Sequence, residues 1–149
     1  MDKLIAEAKK VRENAYTPYS NFRVGAAVLT EDNRIFTGCN IENSSYGLSI
    51  CAERVAIFNA ISSGCKKVTK LAVVTDTEPP ASPCGACRQV IFEFGDDVEV
   101  IMANLKGEIK IMKIDELLKD GFKLNSVRGK MTFFTTNYLV FTVHYFIPL

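Results

Sequence analysis

Two short cysteine segments, Cys51-Ala52-Glu53 and Pro83-Cys84-Gly85-Ala86-Cys87, restrict the fold of this chain more than any other feature. Cys84 and Cys87 are three positions apart, so on a helix they share a face. Ser82-Pro83 reads as an N-cap followed by proline at the first helical position, which puts both thiols near a helix start. There the unpaired N–H groups and the helix dipole favour negative charge and lower thiol pKa values. Cys51 stands at the start of a second helix, expected over 50–63 and closed by Gly64. If the three sulfurs grip one cation, the fold must bring two helix N-termini to a common point. Taken alone, Cys-x-x-Cys also fits a redox pair or two buried cysteines, and an isolated Glu53 fits a surface glutamate favoured by the dipole.

The remaining pattern supplies a frame that can do this. Leu4, Ala8, Val11 and Ala15 recur at helical spacing, and Thr17-Pro18-Tyr19-Ser20-Asn21 ends that helix. Apolar, β-rich runs over 22–30, 34–40, 68–75, 98–103 and 109–113 predict five strands. Glu31-Asp32-Asn33 forms the first hairpin turn, and 41–49 reads as a polar loop. Helices are expected over 50–63, from Ser82 to about Phe94, and over 114–118. This order predicts an α/β domain with one sheet and helices on both faces. A chain of 149 residues suits one such domain.

Charge and cysteine usage narrow the function. Eighteen Lys plus Arg oppose seventeen Asp plus Glu, a net charge of +1, which offers no basic footprint for nucleic acid. The five cysteines are odd in number and no secretory pattern precedes them, so a reducing cytoplasm is expected, with the clustered thiols metal-binding or catalytic. A structural zinc is normally closed by four protein ligands, whereas a catalytic zinc keeps a position for water. Cys65 lies fourteen residues beyond Cys51, about 21 Å along a continuous helix, and is badly placed as a fourth ligand. Spacing leaves Cys39 open as a fourth ligand, but it ends a strand and reads first as a small buried apolar residue. His144 reads as a surface or core residue.

Cys51-x-Glu53 followed by Pro83-Cys84-x-x-Cys87 matches the zinc-deaminase signature in its three-cysteine form. Around it, Ala15-Tyr16-Thr17-Pro18-Tyr19-Ser20-Asn21-Phe22-Arg23-Val24-Gly25-Ala26-Ala27, Gly38-Cys39-Asn40-Ile41-Glu42-Asn43, Cys51-Ala52-Glu53-Arg54 and the block ending Cys87-Arg88-Gln89 closely resemble the small homotetrameric cytidine deaminases of pyrimidine salvage. The resemblance runs from about Ala6 to Phe122. It implies a three-layer αβα sandwich with a mixed five-stranded sheet, and one Zn2+ per chain on Cys51, Cys84 and Cys87. It also implies Glu53 as proton shuttle, Phe22 packing on the pyrimidine, and Asn40 and Glu42 on the ribose 3′-hydroxyl. The Ala52 N–H is expected at the base carbonyl, and Ser44, Tyr46 and Phe122 are expected to shape a site across subunit contacts. Arg54 would draw charge from the thiolates, which together outweigh a divalent cation.

The expected activity is hydrolytic deamination of cytidine and deoxycytidine to uridine and deoxyuridine plus ammonia, by a cytoplasmic homotetramer acting on a free nucleoside rather than on nucleic acid. The alternatives are a deaminase of a modified or antibiotic nucleoside, a non-catalytic zinc-binding interaction domain, and a dithiol oxidoreductase that would leave Cys51 and Glu53 without a task. The catalytic domain is expected to span 1–123. The extension 124–149 departs from the resemblance, and Lys119 follows Leu118 where the family often has proline. Within the extension, 131–149 lack Asp, Glu, Lys and Arg. That length suits a membrane span, but Thr132, Thr135, Thr136, Asn137 and His144 interrupt it, so no membrane role is expected. An added strand, a subunit contact or a disordered extension are the other readings.

Overall fold

A computed structural model describes residues 1–124; the rest of the expected C-terminal extension, with His144, lies outside the described residues. The elements are α1 (Asp2–Arg12), β1 (Gly25–Thr30), β2 (Ile35–Cys39), α2 (Ala52–Ser62), β3 (Val68–Thr75), α3 (Gly85–Glu93), β4 (Glu99–Asn104), β5 (Ile109–Lys113) and α4 (Ile114–Leu117), with a 3-10 turn over Tyr46–Leu48 in the segment read as a loop. The strands form one mixed sheet in the order β2-β1-β3-β4-β5. Its single parallel pair, β3 with β4, is joined through α3, as a parallel pair requires.

Alternation along the strands makes the layers. Ala26, Val28, Leu71, Val73, Val100 and Met102 face one way and are covered by α2 and α3 through Ala56, Ile57, Ala60 and Ile91. Ala27, Ala72, Val74, Ile101 and Ala103 face the other way, under Leu4 and Ala8 of α1. The expected three-layer arrangement is therefore present. Small residues set its spacing. A methyl group at Gly38 would collide with the backbone of Ala52 and Ala56, so β2 lies directly against the first turns of α2. None of the described helices is long and apolar enough to cross a membrane.

Four boundaries differ from the sequence pattern by two residues or more. Helix α1 stops at Arg12 rather than near Ala15, and its last buried position is the arginine itself. Strand β1 starts at Gly25, not Phe22, because the Asn40 side chain takes the place of a strand partner: its Oδ1 accepts from the Val24 N–H at 2.8 Å and its Nδ2 donates to the Phe22 carbonyl at 2.8 Å. Cys51 precedes α2 as its N-cap, in extended backbone. Cys84, not Ser82, is the N-cap of α3, so Pro83 lies before the helix instead of at its first position.

Candidate active site

The two cysteine segments meet where α2 and α3 begin. The sulfurs of Cys51, Cys84 and Cys87 all lie within 4.8 Å of one another, with Cys51 and Cys84 4.0 Å apart. Zn–S bonds of about 2.3 Å in tetrahedral geometry put sulfurs about 3.8 Å apart, so this cluster fits a zinc ion with little adjustment. Among the described residues no fourth His, Cys, Asp or Glu joins the group. Cys65 is buried elsewhere and receives a hydrogen bond from Arg34 Nη2 at 2.9 Å. Cys39 ends β2 outside the cluster.

Electrostatics around the sulfurs suits a cation. Hydrogen bonding from Cys87 and the nearby Arg54 guanidinium lower the Cys51 thiol to about 5. The Cys87 thiol is pushed well above its ordinary value, first by its hydrogen bond to Cys51 and then by burial. Arg54 Nη2 donates to Cys51 Sγ at 3.6 Å, while its buried Nε has no hydrogen-bond partner. A guanidinium held here, with one N–H unsatisfied, fits a site whose thiolates exceed the charge of the ion they hold. Glu53, one position into α2 from Ala52, is only 5% exposed. Burial raises its carboxyl to about 6.

These groups open into a cleft of about 540 Å³. Cys51, Glu53 and Cys84 contribute to it from the metal end, and Phe22, Asn40, Glu42 and Tyr46 from the loops before β1 and after β2. Asn40 reaches this position while bridging Phe22 and Val24, so it shapes the wall it also lines. The Glu42 carboxylate accepts hydrogen bonds from the Tyr19 N–H at 2.9 Å, from the Ser20 N–H and from the Ser20 hydroxyl. The Ser20 hydroxyl in particular holds its pKa below the usual glutamate value. Tyr46 packs edge-on against Tyr19, with ring centroids 5.8 Å apart. Ala52 is buried at the first position of α2, where a backbone N–H has no intrahelical partner. Three of the expected residues are not among those lining the cleft of their own chain: Ala52, Ser44 and Phe122. Ser44 is exposed in the loop, and Phe122 is 60% exposed, its carbonyl accepting from Gln89 Nε2 at 2.7 Å.

A second wall was not anticipated from the sequence. Val73 and Thr75 at the end of β3, with Ala81 and Ser82 beyond it, complete the cleft. The segment carrying Cys84 is tied down by Arg88, which donates to the Pro83 carbonyl at 2.8 Å, the Ser82 hydroxyl at 2.8 Å and the Leu117 carbonyl at 2.9 Å. These partners explain why Ser82 and Pro83 stay outside α3. The available signal was an arginine one position beyond the second cysteine of the motif, but its carbonyl targets follow from tertiary structure alone.

Comparison with known proteins gives a consistent result. A family model described as the cytidine and deoxycytidylate deaminase zinc-binding region matches residues 1–103. A curated cytidine deaminase from Sporosarcina psychrophila is 56% identical over 123 residues, covering 82% of this chain and 90% of that protein. Another, from Halalkalibacterium halodurans, is 52% identical over 120 residues, covering 80% of this chain and 91% of that protein. Among solved structures, a cytidine deaminase from Burkholderia pseudomallei superposes with a TM-score of 0.79 at 48% identity, covering 81% of this chain and 98% of that one.

Proposed function

The chain belongs to the cytidine and deoxycytidylate deaminase family, and from that premise we propose that it hydrolyses free cytidine and deoxycytidine to uridine and deoxyuridine, releasing ammonia. It is a zinc-dependent hydrolase. The observation that carries the reading is a cluster of three thiols, two of which, Cys51 and Cys84, line one cleft together with the buried Glu53. The charged side chains lining that cleft are Glu42 and Glu53, with no lysine or arginine among the described lining residues. A 5′-phosphate, with a charge of about −1.5 to −2, would find no counter-ion there. This supports a nucleoside over deoxycytidylate.

In this reading Cys51, Cys84 and Cys87 hold the ion, which when bound supplies Lewis acidity and a water acidified to a pKa of about 7. Glu53 accepts the proton of the attacking water and delivers it to N3 of the pyrimidine, making C4 electrophilic as the water oxygen adds there. Glu53 then takes the remaining proton from the oxygen added at C4 and delivers it to the exocyclic nitrogen. The C4–N bond breaks, ammonia departs, and the C4 carbonyl of uridine forms. Phe22 packs on the base, the Ala52 N–H binds its carbonyl, and Asn40 and Glu42 accept from the ribose hydroxyl. Arg54 moderates the charge of the thiolates.

We further infer a cytoplasmic homotetramer in which Ser44 and Phe122 complete a neighbour's pocket. Exposed Tyr46, Leu48, Phe58 and Phe122 support such contacts. The five unpaired cysteines suit a reducing compartment. The catalytic domain is assigned to 1–123 and the extension to 124–149.

The test is to measure zinc per chain and then follow cytidine, deoxycytidine and deoxycytidylate by absorbance. Zinc near one per chain, with both nucleosides consumed and the nucleotide spared, is expected. Stoichiometric zinc with neither nucleoside consumed rejects the activity, and a preference for the nucleotide rejects the substrate assignment.

A further inference from the structure

We propose that Arg12, which does not line the cleft, is a positioning residue that ties together the two cleft-lining segments where they leave the β1–β3 ladder. The inference rests on the function proposed above. Arg12 is 6% exposed at the last position of α1. A buried guanidinium is retained where its donors are met, and here they reach three groups. Nε donates to the Arg23 carbonyl at 3.1 Å, Nη2 to Asp76 Oδ2 at 3.0 Å and Nη1 to Glu13 Oε1 at 3.3 Å.

The first two partners belong to neighbouring segments that both border the cleft, just beyond the point where Gly25 of β1 pairs with Val74 of β3. Arg23 lies between Phe22 and Val24, and Asp76 directly follows Thr75; those three neighbours all line the cleft. Thr75 continues its wall by accepting from the Ala81 N–H. One planar guanidinium thus ties the segment before β1 to the segment after β3, without itself lining the cleft. Glu13 reinforces the first connection by pairing with Arg23 Nη1 at 3.4 Å.

The fit of α1 makes this bridge rigid. Gly25 lies against the Ala8 carbonyl and the Arg12 backbone so closely that a methyl group there would collide with both. Helix α1 is therefore seated on the start of β1, and Arg12 is the side chain it extends to the end of β3. A lysine at position 12 has a single point of attachment and cannot hold the two segments in a fixed plane.

The experiment uses the zinc-loaded, full-length protein and compares wild type with Asp76→Ala and Arg12→Lys. Both variants are expected to keep one zinc per chain and a kcat within about threefold of wild type, with KM for cytidine raised roughly tenfold, the pattern of lost binding geometry rather than lost chemistry. Amide hydrogen exchange is expected to rise at 22–24 and 75–82 and to stay unchanged in β4. Asp76 carries a side chain that is 50% exposed, so its variant decides the matter if Arg12→Lys does not fold. An unchanged KM overturns the proposal even where thermal stability falls, because that is the result of a merely structural salt bridge. Unchanged exchange at both segments overturns it as well. If wild type holds zinc but leaves cytidine intact, the proposed activity fails, while the exchange comparison still decides whether Arg12 couples the two segments.

Discussion

The metal end of the cleft and its nucleoside wall are built on different principles. At the metal end, the backbone itself prepares the chemistry: Cys51 and Cys84 cap two helices, and Cys87 and Glu53 follow within the first turns. On the nucleoside wall, Asn40 and Glu42 stand in irregular backbone and are already hydrogen-bonded to it before any ligand arrives. In the proposed reading, chemistry at one end comes from helix starts, while recognition at the other comes from side chains that also hold their loops together. Substitutions at the first should damage turnover and metal retention. Substitutions at the second should damage binding and loop order together.

The most severe test is Glu53→Gln. It keeps the size of a buried side chain but removes the group assigned to carry protons. We expect kcat to fall by about 10²–10⁴, with zinc content unchanged by metal analysis. A wild-type rate would remove Glu53 from the mechanism, and loss of zinc would make it part of the metal site. Next in size is Arg54→Ala. The guanidinium touches Cys51 Sγ rather than the cleft, so its loss should cost about 10–100-fold in kcat or in zinc affinity measured by chelator competition. Little change in either would mean that the charge of the thiolates needs no such compensation.

How much of this was legible beforehand follows the same division. Among the described residues, apolar β-rich runs exposed the five strands, helical spacing exposed α1, and a closing glycine and a Ser-Pro start marked α2 and α3. The metal end could be read from two contiguous motifs, since helix N-termini concentrate their chemistry within a few consecutive residues. The wall formed by Thr75, Ala81 and Ser82 could not, since it depends on what β3 leads into after crossing the sheet. Arg12 and Arg88 were hidden for a related reason: each binds a backbone carbonyl distant in sequence, Arg23 and Leu117 respectively, and a carbonyl leaves no trace in residue type. Helix ends were misplaced at Arg12 and Ser82 where those arginines, rather than propensity, determine the chain's course.

Glu42→Gln separates the two functions assigned to the wall. The variant should raise KM for deoxycytidine by about tenfold, the worth of one hydrogen bond to a charged group, with kcat little altered. The same substitution weakens the bonds to Tyr19 and Ser20, so a higher KM alone does not distinguish sugar contact from loop support. A substrate lacking the 3′-hydroxyl makes the distinction. If Glu42 accepts from that hydroxyl, the substitution should leave KM for 2′,3′-dideoxycytidine nearly unchanged. An equal rise for both substrates would assign Glu42 to the loop alone.

The smallest effect is expected far from both regions, where Lys70 Nζ donates to Glu99 Oε1 at 2.9 Å near the opposite ends of β3 and β4. That hydrogen bond, with further attraction from Lys70, Lys113 and the N-terminus, lowers the Glu99 pKa against the opposing effect of burial. A carboxyl whose pKa falls on folding stabilises the folded state above its unfolded value of about 4.3. The contribution is lost as pH falls through the lower folded value. Glu99→Gln should therefore cost under about 1 kcal/mol at neutral pH, since the pair is partly exposed. The urea stabilities of variant and wild type should converge in acid below the ordinary glutamate range. Because Thr75 joins the cleft five residues further along the strand, this pair also tests whether the sheet transmits local changes to the site. Unaltered zinc content, kcat and KM in Glu99→Gln would confine the cleft's energetics to its own two walls and the helix starts between them. A KM that moved with the Lys70–Glu99 pair would mean instead that the whole length of β3 contributes to holding the nucleoside.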